Sequence, residues 1–397
     1  MKKPKIASAA LALAVLSIAP YSFAQLAIPS DGSDGALIIN GGTNVIDLSQ
    51  AVTGTWSDNN SANAGKGIYD PNKWAVVFKY SSVTIASNAT VTFKNHITHA
   101  PVVWLVGGDV TINGTLSLNG INGSIQDPVN LSEPGPGGFR GGAMDQSNLG
   151  HGSGFGPGGY YNDYGGYSDY HAYGNLQILP LIGGSGGSGG AANCFTANGG
   201  GGGGAILVAA AGTATVNGNI QADGGRYTGC GAWGGSGGAV RLVANQIIGS
   251  GRIEAIGDHP GRVRLEATAT SASLSTDPLV SAVSPDPLVI WPAADAPTAS
   301  VISIGGQVAP ADPKAIMSGS NGADDVTIAT NSAVTILVQT QNFPTNGTVN
   351  VFVKPRNAPQ SIYTASLVNG TPQLATWQVV QPPPVGHFVV QVRAFSN

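Results

Sequence analysis

Charged side chains are scarce in this chain of 397 residues. Only 10% of the residues are Asp, Glu, Lys or Arg, and the formal net charge is −4. A protein that binds nucleic acid or an anionic membrane through electrostatics needs a basic surface, which this composition does not supply. We therefore expect no nucleic acid among the partners.

Long apolar runs are also missing, apart from one near the start. Lysines within the first five residues precede an apolar stretch over 6–19, and Ser22 and Ala24 supply the small residues of a cleavage site. This pattern is typical of an export signal, whereas a membrane span needs about 20 apolar residues. We predict a signal peptide over residues 1–24 and no transmembrane anchor. The mature protein is then extracellular or at the cell surface, with the periplasm as the alternative.

The chain has two cysteines, Cys194 and Cys230, and export would carry both into an oxidising compartment. They occupy similar places in consecutive copies of the repeat described next. Stacked strands lie about 4.8 Å apart, which is within the Cα separation that a disulfide accepts. We predict a Cys194–Cys230 disulfide, with two buried free thiols as the alternative.

Glycine is abundant, with 59 residues, of which 36 lie between Gly135 and Gly238. Within this region one unit occurs twice: a glycine run, an aliphatic run and a second short alternating run. Setting Gly204 on Gly238 gives a period of 34 with one residue of slack, and a looser copy covers 102–120. Repeats of this length predict stacked units, and alternation with period 2 predicts strands. We predict a β-solenoid with three short parallel strands per coil.

The chain divides into four regions by composition. After the signal peptide we predict coils over residues 25–275, with an inserted polar loop and a long glycine-rich loop over 126–180. The strands are expected to resume near 176–179 and to end with 261–267. Five prolines between 276 and 297 predict a linker, or a strap along the solenoid.

Residues 298–397 have ordinary glycine content and short alternating strands separated by turns. The strands are expected around 301–304, 326–328, 333–339, 348–353, 362–368, 375–380 and 387–393. Seven such strands in about 100 residues predict an immunoglobulin-like sandwich. Trp377 is the expected core aromatic residue.

Six of the 11 tyrosines lie within the long glycine-rich loop. The candidate binding residues are Tyr160, Tyr161, Tyr164, Tyr167, Tyr170, Tyr173 and His171. Tyrosine supplies large, stiff, amphipathic contact area, which suits the face of a sugar or a protein surface. A low-complexity loop without a ligand is the alternative.

Signals for catalysis are weak. The pattern G-x-S-x-G at Ser185, Ser188 and Ser236 lies within glycine–serine tracts with no helix following, so it is compositional. A polysaccharide-active enzyme would need carboxylates grouped on one face. Candidates are Asp109, Asp223, Glu254 and Asp258, with Lys94, Arg226, Arg241 and Arg252 nearby in the repeat. The three aspartates fall at turns, where aspartate is favoured for local backbone hydrogen bonds. Arg252 with Glu254 is expected to form a solvated pair.

Two polar groups have some of the character of metal ligands. The oxygens of 58–60 and Asp70 would suit calcium, and His96 with His99 would suit a transition metal. Solvated loop residues and turn residues are the expected interpretations. We therefore expect no cofactor and no metal site, with calcium as an open alternative.

The coils over 199–267, together with the export signal, resemble secreted bacterial glycine-rich parallel β-helix proteins of the broad pectin-lyase-like solenoid fold. The tracts over 183–190 and 199–204 also look like those of polyglycine adhesins, whose glycine stretches pack side by side as extended helices. The resemblance covers roughly residues 30–267 and implies a right-handed parallel β-helix. No lyase motif aligns with this sequence, so it implies no catalytic residue.

We therefore expect an all-β protein: a right-handed parallel β-helix with long Gly-rich loops, followed by an immunoglobulin-like β-sandwich. The expected function is that of an exported, non-catalytic surface or matrix protein, an adhesin or structural protein. It would bind a glycan or a cell-surface protein through its Gly/Tyr-rich loops. The alternatives are a polysaccharide-active lyase or glycoside hydrolase, and ice binding by a threonine ladder. The ladder threonines, Thr84, Thr92, Thr111 and Thr215, lack a shared Thr-x-Thr spacing.

Overall fold

The computed structural model of the protein describes residues 26–125, 132–144, 152–159, 173–190, 197–227, 231–271, 273–311, 325–356, 358 and 360–396. Within these ranges the chain forms 28 strands and two short 3₁₀-helices, and no α-helix. The expected all-β class is confirmed. In the described part of the chain, no helix has the length and apolar character needed to cross a membrane.

Strands β1–β20 form three sheets. In chain order they are β1 (Ala36–Ile39), β2 (Gly42–Asp47), β3 (Val52–Thr53), β4 (Ile68–Asp70), β5 (Ala75–Tyr80), β6 (Ser82–Ile85), β7 (Ala89–Lys94), β8 (Val102–Val106), β9 (Val110–Ile112), β10 (Thr115–Ser117), β11 (Ala205–Ala210), β12 (Thr213–Val216), β13 (Asn219–Gln221), β14 (Ala239–Val243), β15 (Gln246–Ile248), β16 (Arg252–Glu254), β17 (Arg262–Glu266), β18 (Ala269–Thr270), β19 (Ser275–Asp277) and β20 (Ala282–Val283). The 3₁₀-helices are Leu48–Gln50 and Ser61–Asn63.

Each coil contributes one strand to each sheet, except that the first coil contributes three strands, β3, β4 and β5, to sheet C. Sheet A has the order β1-β6-β9-β12-β15-β18, sheet B the order β19-β16-β13-β10-β7-β2, and sheet C the order β20-β17-β14-β11-β8-β5-β4-β3. Neighbouring strands are parallel, apart from the antiparallel pair of β4 and β5. Ala205 lies opposite Ala239, 34 positions later, so the expected period is confirmed. Ile206 also lies opposite Val102, so the looser upstream copy is one of the coils.

Strands of sheet C are apolar on both faces because both faces are covered. On β8, Val102, Trp104 and Val106 point into the space enclosed by the three sheets. Val103 and Leu105 point outward and are buried as well. The outer face is covered by residues 26–28 and 288–291, including Trp291, which pack against it. Two segments distant in sequence therefore close the outside of sheet C.

The stack continues beyond its expected last strand at 261–267, so that expectation is wrong. Strands β18, β19 and β20 form a further coil, and β19 pairs in parallel with β16 across the expected boundary at 275/276. These strands are short. β19 is polar and is followed by Pro278, and this composition is typical of a linker. They are strands because their backbones pair with the preceding coil. Such pairing cannot be predicted from composition.

The strand expected near 176–179 is absent from the described residues. The side-chain oxygen of Asn175 instead accepts hydrogen bonds from the backbone N–H groups of Gln177 and Leu179, at 3.0 and 3.2 Å. A side chain that satisfies its own neighbouring backbone competes with strand pairing. This segment is therefore a turn, with Leu176 exposed and Ile178 buried.

Strands β21–β28 form two antiparallel sheets. They are β21 (Thr298–Ile304), β22 (Gln307–Val308), β23 (Val334–Gln341), β24 (Thr348–Pro355), β25 (Ser361–Thr364), β26 (Ser366–Thr371), β27 (Leu374–Gln381) and β28 (Phe388–Phe395). The orders are β22-β21-β23-β27-β26 and β25-β24-β28. One core lies between the sheets, and Trp377 is in it, as expected, with its Nε1 donating to Thr340 Oγ1 at 2.9 Å.

Two expected strands of this region differ in the structure. The described residues 325–333 contain no strand, so the one expected at 326–328 is not formed. The strand expected at 362–368 is divided into β25 and β26, which belong to different sheets. Ala365, between them, is buried in the core, and the chain changes sheet there.

A bundle of glycine-rich segments fills the corner between sheets B and C. The glycine bundle consists of residues 132–144, 152–159, 183–190, 197–204 and 231–238, none of which forms a strand. These segments lie within the connections from β10 to β11 and from β13 to β14. The insertion into the coil at this corner is therefore a packed unit.

Hydrogen bonds from residues 199–204 recur with a period of three. Gly199 and Gly202 donate to the carbonyls of Gly142 and Phe139, Gly200 and Gly203 to those of Trp233 and Ser236, and Gly201 and Gly204 to those of Ile121 and Leu118, all at 2.7–2.9 Å. Each of three neighbouring segments thus accepts from every third residue. An extended helix with three residues per turn and no internal hydrogen bonds presents its donors in this way.

Glycine is required in the bundle because the backbones are too close for side chains. A Cβ at Gly202 would lie 1.9 Å from the carbonyl oxygen of Gly184, and one at Gly184 would lie 2.1 Å from that of Ser236. A Cβ at Gly199 would lie 2.0 Å from the carbonyl oxygen of Gly187. The bundle is thus held by backbone hydrogen bonds, and its interior has almost no side chains.

The C-terminal sandwich contacts the bundle through Lys354 on β24. The Lys354 ammonium donates to the carbonyl oxygens of Gly154 and Gly159, both at 3.1 Å, and to that of Gly156 at 3.0 Å. Phe155 packs with Val389 of β28 beside it. The two parts of the chain therefore share a buried polar and apolar junction.

Candidate functional site

Most of the predicted binding residues lie outside the described part of the chain. These are Tyr160, Tyr161, Tyr164, Tyr167, Tyr170 and His171. Gly159 of the bundle and Tyr173 flank them on either side. Gly158 donates its N–H to Ser185 Oγ at 2.8 Å, so the backbone is fixed to the bundle just before residues 160–172, the tyrosine loop.

Tyr173 is the predicted binding residue that the structure describes. Its hydroxyl donates to the carbonyl oxygen of Gly183 and accepts from Ser185 Oγ, which is 3.2 Å away. Burial raises the pKa of this phenol. Tyr173 therefore fixes the second end of the tyrosine loop to the bundle.

Cys194 and Cys230 lie outside the described residues, so their disulfide stays a prediction. Their sequence neighbours are nevertheless close to one another. The N–H of Trp233 donates to the carbonyl oxygen of Ser188 at 3.0 Å. The described segments that border the two cysteines in sequence, 183–190 and 231–238, are therefore adjacent in the bundle.

The described residues contain a polar network at the corner between β7 and the bundle. Glu133 is its centre: one carboxylate oxygen lies 2.9 Å from His99 Nε2, and the other lies 2.7 Å from an Arg140 Nη atom. Arg140 Nε donates to the same second oxygen at 2.8 Å. Asn95 adds a hydrogen bond from its amide nitrogen at 3.0 Å. The Glu133 carboxylate is thus contacted by two coil residues, Asn95 and His99, and by one other bundle residue, Arg140.

This network keeps Glu133 ionised. Burial alone would raise the pKa of Glu133, but the hydrogen bond from His99, the charges of His99 and Arg140 and the Asn95 amide lower that pKa to about 2. His99 has a φ of +52°, an uncommon backbone conformation for a residue other than glycine. Such local strain persists where surrounding contacts impose it, and it is concentrated at functional sites.

Beside the network lies a cleft of about 780 Å³. Its walls come from β7, β10 and the bundle, and they include Thr92, Phe93, Ser117, Asn119 and Ile121. Two buried polar atoms at this cleft, Arg140 Nη1 and Asn95 Oδ1, have no hydrogen-bond partner among the described residues. Leaving a buried donor or acceptor unpaired costs about 1–3 kcal/mol. Arg140 and Asn95 thus line the cleft, and each has one buried polar atom without a partner among the described residues.

A second, larger cleft of about 1310 Å³ lies between the bundle and the sandwich. Phe139, Arg140 and Phe155 form its bundle side, and apolar residues of β21 and β28 such as Val301 and Val390 form the other. Arg140 belongs to the walls of both clefts. Arg140 therefore lies between these two concave surfaces of the described chain.

The carboxylates proposed for catalysis are mostly engaged by backbone N–H groups. Asp109 accepts from Thr213 N at 2.8 Å and Asp223 from Ile256 N at 2.9 Å, while Asp258 accepts from Gly234 N at 2.5 Å. The expectation of local hydrogen bonds within the turns is wrong for these three bonds, because each one reaches the backbone of a different coil. These aspartates tie adjacent coils together.

Glu254 differs from its expectation as a solvated residue. It forms the expected pair with Arg252, at 2.7 Å, but its side chain is only 10% exposed. Gln221 on the neighbouring strand donates to it at 2.6 Å. The neighbouring Asp223 has its pKa raised to about 6, mainly by burial. The hydrogen bond from Ile256 N lowers this pKa, and the charge of Glu254 raises it further.

Among the candidate metal ligands, Asp58, Asp70 and His96 are used within their own loops, whereas His99 contacts Glu133. Asp58 accepts from Thr55 N at 3.0 Å, and Asp70 accepts from Trp56 N at 3.0 Å. His96 Nδ1 lies 2.8 Å from Thr98 Oγ1. Within the described ranges, no three His, Cys, Asp or Glu residues are grouped as metal ligands.

The Glu133–Arg140 part of the network was not anticipated from the sequence. Both residues lie in a glycine- and proline-rich stretch that matches no catalytic or binding motif. The only available signal was the presence of two opposite charges in a stretch otherwise without them. His99 had been interpreted as a turn residue, and its contact with Glu133 spans 34 positions of the chain.

Comparison with protein-family models, with curated proteins and with solved structures gives no match to this chain. Its function is therefore inferred from the contacts of its own residues.

Proposed function

We propose that this chain is an exported, non-catalytic binding protein of a bacterial surface or extracellular matrix. In this proposal the tyrosine loop over 160–172 binds a glycan or a cell-surface protein. The observation that carries the proposal is the packing of the glycine bundle, which holds the described ends of that loop at Gly158 and Tyr173. The signal peptide over 1–24 supplies the export.

The bundle suits presentation better than chemistry. Its segments are connected by backbone hydrogen bonds at every third residue, and its interior contains almost no functional groups. A rigid support reduces the conformational entropy that a binding loop loses on contact with its ligand. Glycines that are individually costly to order thereby build a rigid support for the tyrosine loop.

The proposed architecture is a right-handed parallel β-helix that carries the bundle and is followed by an immunoglobulin-like sandwich. The parallel order of sheets A, B and C supports the first part. The second part is supported by two facing antiparallel sheets of five and three strands with Trp377 between them. Sandwiches of this kind are common in cell-surface proteins.

The test is a glycan array and a binding assay with the mature chain. We expect binding that is lost when Tyr164, Tyr167 and Tyr170 are changed together to Ala, since aromatic contacts at such surfaces can each contribute about 2 kcal/mol or more. The melting temperature should stay nearly unchanged. Changing the exposed Tyr227 to Ala is the matched control and should leave binding intact.

A polysaccharide-active enzyme is the second candidate, favoured by one observation. The pKa of Asp223 is raised to about 6 by burial, opposed by the Ile256 N hydrogen bond, with a raising contribution from the charge of Glu254. A carboxylic acid with a raised pKa beside a second carboxylate is the arrangement of glycoside hydrolysis. A depolymerisation screen with Asp223→Asn and Glu254→Gln distinguishes the candidates: loss of a measured activity in these variants would favour the enzyme.

A further inference from the structure

We propose that the cleft between β7, β10 and the glycine bundle is a binding site for a neutral saccharide, oriented by Arg140 and Asn95. The proposal rests on the glycan-binding function above and adds a site that does not include the tyrosine loop. It depends on the free polar atoms, the charge balance and the wall composition of the cleft.

The free polar atoms of the cleft select a ligand that both donates and accepts. Arg140 Nη1 carries N–H groups without an acceptor, and Asn95 Oδ1 is an acceptor without a donor among the described residues. A hydroxyl group supplies one donor and two acceptor lone pairs, so neighbouring hydroxyls satisfy both atoms. A carboxylate ligand could satisfy Arg140 but would leave Asn95 Oδ1 without a donor.

The charge balance favours a ligand without net charge. The guanidinium of Arg140 already has Glu133 as its partner, with Nε and one Nη atom on the same carboxylate oxygen at 2.8 and 2.7 Å. His99 and Asn95 occupy the other oxygen, at 2.9 and 3.0 Å. An anion entering the cleft would meet the Glu133 carboxylate, whose low pKa keeps it charged.

The walls combine hydroxyl, amide and apolar groups, as a sugar ring requires. Thr92 and Ser117, from adjacent strands, and Asn119 line one side of the cleft. Ile97 and Ile121 line it as well and are 49% and 59% exposed, so they present apolar surface to a ligand. The volume of about 780 Å³ lies within the range of roughly 300–1,000 Å³ that is common for small-molecule sites.

Strain and rigidity agree with a preorganised site. His99 adopts its φ of +52° while its N–H donates to the carbonyl of His96 at 2.9 Å and its ring contacts Glu133. The ring of His96 is stacked on the buried Tyr69 at a centroid distance of 4.1 Å. The polar groups of the cleft are therefore held by the core of the coils.

The experiment is calorimetric titration of the mature chain with neutral pentasaccharides of glucose and mannose and with an anionic pentagalacturonate. We expect Arg140→Lys to weaken binding of a neutral pentasaccharide at least tenfold. Lysine keeps the positive charge beside Glu133 but lacks the Nη1 donor. Ser117→Phe, which fills the cleft from β10, should weaken binding to a similar extent. Asn219→Phe, at an exposed position on β13 of the same sheet, is the matched control and should bind as the wild type does.

The outcomes separate the two proposals. If the wild-type chain binds a neutral sugar and both cleft variants bind it equally well, while the Tyr164/Tyr167/Tyr170 variant does not, the cleft proposal alone is wrong. Preferential binding of pentagalacturonate, abolished by the cleft variants, would also overturn it, since the ligand would then be an anion. If the wild type binds none of these sugars and no glycan on the array, the cleft proposal and the glycan-binding function both fail. Melting temperatures of all variants show whether each is folded.

Discussion

The side-chain nitrogen of Lys354 lies 3.0 Å from the carbonyl oxygen of Gly156, in a position where only 1% of the residue is exposed. Two further carbonyl oxygens, from Gly154 and Gly159, complete its contacts. An ammonium group has three N–H donors, and here each has one acceptor. A buried charge without a counter-ion is thus accommodated by backbone dipoles of the glycine bundle.

The junction should make stability depend on pH. Burial and the positive charge of Arg393 lower the pKa of Lys354 from 10.5 to about 7. Between these two pH values the unfolded chain holds a proton that the folded chain has released, so the free energy of unfolding rises with pH. Each pKa unit corresponds to about 1.4 kcal/mol. Denaturant titrations should therefore show the stability of the wild type, relative to Lys354→Met, increasing by several kcal/mol from pH 7 to pH 10.

The matched control for this pH dependence is Lys94→Met. The Lys94 side chain is 62% exposed and pairs with Asp47 at the surface. An exposed pair contributes little to stability, so the difference between wild type and Lys94→Met should stay flat over the same range. If the stability difference between wild type and Lys354→Met is also independent of pH, Lys354 does not titrate inside the folded protein.

Glycine-to-alanine substitution should separate packed glycines from ordinary ones. In Gly202→Ala the new Cβ would lie 1.9 Å from the carbonyl oxygen of Gly184, so the bundle must open. We expect a loss of about 3 kcal/mol or more in the free energy of unfolding. In Gly107→Ala the nearest atom lies 3.9 Å away, and stability should be unchanged or slightly increased. Thermal denaturation of both variants measures the contrast, and equal effects would contradict the packing of the bundle.

The predicted disulfide can be tested on the purified mature chain. Mass spectrometry of unreduced peptides should show Cys194 linked to Cys230, and closing this loop should add about 3–4 kcal/mol to stability. Reduction should lower the melting temperature of the wild type and leave that of the Cys194→Ser/Cys230→Ser variant unchanged. Two thiols that react with an alkylating agent in the native protein would refute the bond.

Residues 298–397 should fold without the rest of the chain. Their two sheets enclose a core of their own, which includes Val338, Val351 and Trp377. Expressed alone, this fragment should unfold cooperatively on heating. Because Lys354 is then open to water, the pH dependence described for the full chain should disappear. A fragment without a thermal transition would show that the sandwich needs the bundle in order to fold.

The clearest sequence signals were local and repeated. Alternating apolar residues follow Gly204 and recur after Gly238, where they include Val240 and Leu242. That fixed period predicts the strands and their parallel register. Trp377, alternating within a strand of the C-terminal region, was likewise recognisable as a core residue. The all-β class and the stacking of coils follow from these patterns, because each depends on neighbours along the chain.

Other features depended on partners far away in the sequence. The strands β18–β20 form through pairing with an earlier coil, and the turn at 176–179 forms through the side chain of Asn175. The contact between His99 and Glu133 joins a coil to the bundle. None of these partners can be identified from composition or spacing, which is why the cleft beside Arg140 was not anticipated.

By itself the sequence determined the strand period, the glycine-rich insertion and the apolar faces, because these are properties of residue type and spacing. The tertiary structure decided what the glycines do. A run such as 199–204 specifies neither disorder nor order, since glycine has no side chain with which to choose a partner. That run forms part of a packed bundle only because neighbouring backbones lie within hydrogen-bonding distance of it. Lys354 and Arg140 lie at the edges of this bundle.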